Sequence, residues 1–156
     1  MRILTGTLAL AAAIVFAAGC DKHEDHKHGG GGHGDHGGTV SVPVHYKDAV
    51  HKCEELSGKI GGLISSGNLK DVHAAAADIK KIAEKLPELA QTDLKPEMLK
   101  DVNIKAKELA GMFNEIDEAA DAGKKEETAR LHERMKTLIA DLKKHAEHGE
   151  GGHEKH

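Results

Sequence analysis

Apolar residues recur at alternating three- and four-residue steps in four separate stretches of this chain. The first runs Val42, Tyr46, Ala49, Cys53, Leu56, Ile60, Leu63, and the second Leu69, Val72, Ala76, Ile79, Ala83, Leu86. The third runs Val102, Ala106, Leu109, Phe113, Ile116, Ala120, and the fourth Thr128, Leu131, Met135, Leu138, Leu142, His145. With about 3.6 residues per helical turn, each set falls on one face of a helix and leaves the intervening charged residues in water. Four such faces close around a shared core, so the pattern predicts an all-α, antiparallel up-down-up-down four-helix bundle over residues 42–147.

Local signals place the expected boundaries. The first helix should begin near Pro43 and end at Ser65 or Ser66, with Gly67-Asn68 as the turn. Asn68 would cap the second helix, which should break or kink at Pro87, because proline disfavours helical geometry in the residue before it. Thr92 to Lys95 would form the middle link. Pro96-Glu97 would open the third helix with a proline and an acid in its first turn, and Gly123 would end it. A fourth helix from about Lys124 to Glu147 completes the set. Gly58, Gly61 and Gly62 inside the first helix each lower helix propensity by about 1 kcal/mol relative to alanine. They read equally as places of close helix approach, as room for a bound group, or as plain marginal stability. The frequent alanines of the seams leave the same choice between tight packing and ligand volume.

The first 19 residues stand outside this pattern. Met1-Arg2 is a short basic start, Ile3 to Ala17 is almost wholly apolar, and small residues precede Cys20, which is the layout of a secretory signal rather than a membrane span. Ala17-Ala18-Gly19-Cys20 resembles the bacterial lipobox, with alanine in place of its usual leucine. That resemblance implies lipidation at Cys20 and a periplasmic chain anchored to a membrane by its N-terminal lipid, inner or outer left open; the alternative is an ordinary cleaved signal. With Cys20 so used, Cys53 is the remaining cysteine and an internal disulfide is excluded. The 26 acidic against 22 basic residues give no basic footprint for a nucleic acid.

Residues 20–41 and 148–156 are the expected tether and tail, without apolar periodicity. The first carries His23, His26, His28, His33 and His36 among Asp21, Glu24, Asp25 and Asp35; the chain closes on His145, His148, His153 and His156. Neutral imidazoles with carboxylates nearby suit zinc, nickel, copper or cobalt. A flexible ligand strand loses entropy on binding and imposes little geometry, which predicts moderate affinity and weak discrimination. The competing reading is a polar spacer. In an up-down-up-down bundle both clusters would leave from one end and could share a metal.

A secreted bundle of this size, with Pro96-Glu97-Met98 opening its third helix, Ile116-Asp117-Glu118-Ala119 and the Gly123-Lys124 turn, resembles the cytochrome b562 family over Tyr46 to about His148. The resemblance implies haem b held at one end of the bundle, electron transfer, and a redox partner protein. The family's ligands are a methionine early in the first helix and a histidine late in the fourth. Here Cys53 stands at or near the methionine position, with His45 and His51 as alternatives, and His145 lies on the seam at the same end. Cys53 reads otherwise as a small core residue and His145 as a frayed helix end. Met135 is expected in the core, Met98 near any site at the His145 end, and His73 and His132 at solvated or boundary positions. Covalent haem attachment is excluded because no C-x-x-C-H occurs, and no catalytic grouping is visible, so the chain reads as a non-enzyme, with a structural or partner-binding bundle without cofactor as the further alternative.

Overall fold

The computed structural model describes residues 40–149. Within them the chain forms α1 (Tyr46–Ser66), a single 3-10 turn at Leu69–Asp71, α2 (Val72–Asp93), α3 (Pro96–Asp121) and α4 (Lys125–Gly149), and no strand among the described residues. The all-α expectation holds. None of the described helices is long and apolar enough to cross a membrane.

The turns form where glycine is needed. Gly67 adopts φ 79° and Gly123 φ 68°, the left-handed region in which a Cβ is strained. At the first, Gly67 N–H donates to Ile64 O and Asn68 N–H to Leu63 O; at the second, Gly123 N–H donates to Ala120 O and Lys124 N–H to Ala119 O. Both pairs occupy carbonyls that α1 and α3 would otherwise leave open. Three boundaries differ from expectation, the first being that Thr92 and Asp93, expected in the middle link, belong to α2. Helix α1 starts at Tyr46 rather than Pro43, with Asp93 at the end of α2 accepting the Tyr46 backbone N–H at 2.7 Å. Asn68 opens the 3-10 turn, and α2 proper begins at Val72.

Pro87 does not break α2, which continues through it to Asp93. A proline inside a helix removes one hydrogen bond and costs about 3 kcal/mol. Leu86 before it and Ala90 after it are both sealed in the core, so packing on either side holds the backbone helical against the local preference.

Helix α1 packs chiefly on α2 and α4, and α3 on the same two. Across α1 and α4, Tyr46 meets Leu142, Ser57 meets His132, and Ser65 meets Lys125. Across α3 and α4, Asp101 meets His145, Lys105 meets Asp141, and Glu108 and Glu115 meet Arg134. In both series residue numbers rise on one helix as they fall on the other. The buried apolar residues make one continuous cluster that includes Tyr46, Ile60, Ile79, Leu86, Leu109, Ile116, Met135 and Leu142. Phe113, expected on the third seam, is only partly buried; Met112 takes the core position beside it. The Phe113 ring lies outside, edge-on to His73 with centroids 5.5 Å apart and 5.1 Å from the Lys80 ammonium.

Candidate functional site

The end of the bundle that carries the start of α1 and the end of α4 is organised around Tyr46. Its first-turn position on α1 buries it completely, and its hydroxyl donates to Leu142 O on α4 at 3.1 Å. Burial pushes the phenol above its ordinary range, and the Asp101 carboxylate and Cys53 thiol add to that rise. Tyr46 therefore lies close enough to Asp101 and Cys53 for both to act on its phenol. Sequence periodicity marked Tyr46 as a core residue, but not as the plug of this end.

Cys53 lies two turns further along α1, fully buried, and burial pushes its thiol up to about 12. It is a protonated core residue at neutral pH. His145, with its side chain 22% exposed, bonds through Nε2 to Asp101 Oδ2 at 2.6 Å. Asp101 also lies 3.8 Å from the Lys105 ammonium, which bonds Asp141 at 3.1 Å. The Asp141 bond raises Lys105, and Lys144 and then Lys105 lower Asp141. His145 is thus part of a polar lattice between α3 and α4.

The residues present at this end do not fit haem. Two axial ligands must be open to the iron, whereas the Cys53 thiol is sealed and protonated and His145 is engaged with Asp101. Met98 is half-buried near the start of α3, and Met112 and Met135 are core residues.

The remaining described histidines at this end each have a carboxylate beside them or face water. His45 Nδ1 is 3.5 Å from Asp93, and His51 Nδ1 is 3.6 Å from Glu55; both rings are largely exposed. His148 lies inside α4, which runs to Gly149, rather than in the tail. No cluster of three or more metal-competent side chains exists among the described residues. Cys20, His23, His26, His28, His33, His36, His153 and His156 lie outside the described residues.

His132 is the residue that sequence reasoning misplaced. Expected at a solvated or boundary position, it is only 7% exposed. Its Nε2 is 2.8 Å from Ser57 O and 3.0 Å from Ser57 Oγ, so in the neutral ring Nε2–H donates to the carbonyl. Burial lowers its pKa, against an upward push from the Ser57 carbonyl and Glu133, with Lys136 adding to the fall. Gly61 makes the burial feasible, since a Cβ there would stand 3.0 Å from His132 Cε1. The only signal in the sequence was the run of glycines opposite. Ser57, Gly58, Gly61, His132, Ile139 and Ala140 line a groove of about 730 Å³ between α1 and α4, rimmed by Glu54, Glu147 and three lysines. Lys143 spans its mouth to Glu54 at 2.9 Å.

No protein-family model, no curated protein and no solved structure matches this chain.

Proposed function

We propose that this protein is a lipid-anchored periplasmic lipoprotein that binds divalent transition-metal ions through histidines gathered at one end of an up-down-up-down antiparallel bundle. One observation carries the reading. Of 13 histidines in the chain, all but His73 and His132 belong either to the first turns of α1, to the last two turns of α4, or to the sequences joined to them. The opposed residue numbering across α1–α4 and α3–α4 supports the antiparallel arrangement that brings those two termini to the same end.

Carboxylates recur beside these histidines, both in sequence (Asp21, Glu24, Asp25, Asp35) and in space (Asp93, Glu55, Asp101). They supply oxygen ligands and favour the imidazole tautomer that binds metal. Ligands drawn from long His/Gly-rich sequence impose little geometry, so several ions are held with moderate affinity and modest selectivity, as suits buffering or hand-over. Binding weakens as pH falls, because protons compete for the same nitrogens. The signal sequence and Cys20 support the location, and the acidic balance of the chain disfavours nucleic acid.

The test is a zinc(II) or nickel(II) titration of the full chain against a variant with His23, His26, His28, His33, His36, His153 and His156 all changed to glutamine. The proposal expects several ions bound by the parent and most of them lost in the variant. Equal uptake by both chains would overturn it.

A further inference from the structure

We propose that the groove between α1 and α4 binds a small, planar, neutral molecule carrying one hydroxyl, with His132 Nδ1 as the acceptor of that hydroxyl's hydrogen bond. This goes beyond the metal-binding reading and does not depend on it, because His132 is not among the metal-binding histidines.

The recognising atom follows from the hydrogen bonds of the ring. His132 is only 7% exposed, and burial lowers its pKa, so at neutral pH the ring carries a single proton. Nε2–H donates to Ser57 O at 2.8 Å, which leaves the lone pair on Nδ1. No described residue donates to that nitrogen. Among the described residues, Asp78 Oδ1 is the side-chain atom that is both sealed and unpartnered. Nδ1, unpartnered but not sealed, is therefore open, and the opening that His132 borders is the groove. A buried acceptor of this kind selects a donor, because an occupant without one would leave it dry and unpaired. A cationic donor is disfavoured by the three lysines of the rim, so the donor is a hydroxyl.

The walls set the rest of the ligand. Gly58 and Gly61 give α1 a face without side chains, and a Cβ at Gly58 would meet nothing within 4 Å. Ile139 and Ala140 supply apolar surface from α4. A flat ring packs on such a face better than a branched chain. The volume of about 730 Å³ lies within the range of small-molecule sites, which combine apolar walls with a few polar atoms. At the rim, Lys136 lies 3.1 Å from Glu133, Lys143 2.9 Å from Glu54, and Lys144 2.8 Å from Asp141. Each lysine already faces a carboxylate, so the mouth has no charge in search of a counter-ion and suits a neutral occupant.

The fold provides a matched control on the same helix. Gly62 also has open space where a Cβ would stand, but it does not line the groove.

The experiment uses the full chain with EDTA present, and β-naphthol as the probe against β-methylnaphthalene, which matches its shape but has no hydroxyl. Equilibrium dialysis should find β-naphthol bound about 10- to 100-fold more tightly, since the hydrocarbon leaves Nδ1 desolvated and unpaired. A groove offering apolar contact alone would reverse the order, because the hydrocarbon is the more hydrophobic of the two. In nitrogen NMR of the isotope-labelled chain, β-naphthol should shift the His132 Nδ1 resonance, assigned by its absence from His132→Gln. Gly58→Leu, whose side chain enters the groove, should weaken binding about tenfold or more. Gly62→Leu should leave it unchanged, with helix content kept in both variants. The inference falls if the parent binds no β-naphthol, if the hydrocarbon binds as well or better, or if the two leucine variants lose binding equally. None of these results touches the metal reading, which the histidine-to-glutamine titration decides separately.

Discussion

Acidification should loosen the contact between α1 and α4 through His132. In the folded chain this ring is buried and its pKa is lowered; in the unfolded chain it returns to about 6.5. Above about pH 6.5 both states are neutral and the contribution to stability is complete. As pH falls below that value the unfolded chain takes up a proton that the folded chain resists, so stability declines until the folded pKa is passed. One proton of difference gives a slope of at most about 1.4 kcal/mol per pH unit. The groups facing the ring are Ser57 and Gly61 from α1, with Glu133 and Lys136 from its own helix. None is placed to accept a second N–H at bonding distance, which is why the charge is resisted. The assay is urea unfolding followed by circular dichroism at about pH 7.5, 6 and 5, for the parent and for His132→Gln, which retains an N–H donor but does not titrate. All other titrations are shared, so they cancel in the difference between the two chains. The parent should lose its advantage progressively below about pH 6.5. Parallel profiles for the two proteins would refute the reasoning.

Other outcomes follow from the same packing. Gly58→Ala, whose new methyl meets nothing within 4 Å, should stabilise the chain by up to about 1 kcal/mol in thermal unfolding, whereas Gly61→Ala should gain less or lose, because His132 must give way. Cys53 should resist a thiol reagent in the native state and react on denaturation, since its thiol is buried and pushed up to about 12. Tyr46→Phe deletes the buried bond to Leu142 O and should cost about 0.5 to 1.5 kcal/mol in chemical denaturation. Leu86→Ala should cost about 2 to 5 kcal/mol by the same measure, as expected of a fully sealed core position.

The helices were legible because their signal is additive: many apolar residues on one face outweigh any single local preference. Leu69, Val72, Ala76, Ile79, Ala83 and Leu86 are all buried, as their spacing predicts. Where one residue had to decide, local reasoning fared worse. Pro87 predicted a break or a kink, yet α2 runs unbroken through it between two sealed neighbours, Leu86 and Ala90. Periodicity put Phe113 on the third seam, yet the adjacent Met112 is the one that turns inward. His132 could be placed only with the register of α1 against α4 in hand, since its burial depends on the missing side chain at Gly61. The Asp101–His145 contact spans 44 residues and has no signature in local spacing. The histidine clusters, by contrast, were visible as composition.

Tyr46 is the sole tyrosine of a chain without tryptophan, so nature has installed one fluorophore and put it at the heart of the histidine-bearing end. Its emission is a built-in gauge, free of background, for any rearrangement of Leu142, Cys53 or Asp101 around it. No dye or engineered label is needed to watch that end of the molecule respond to protons, denaturant or ions.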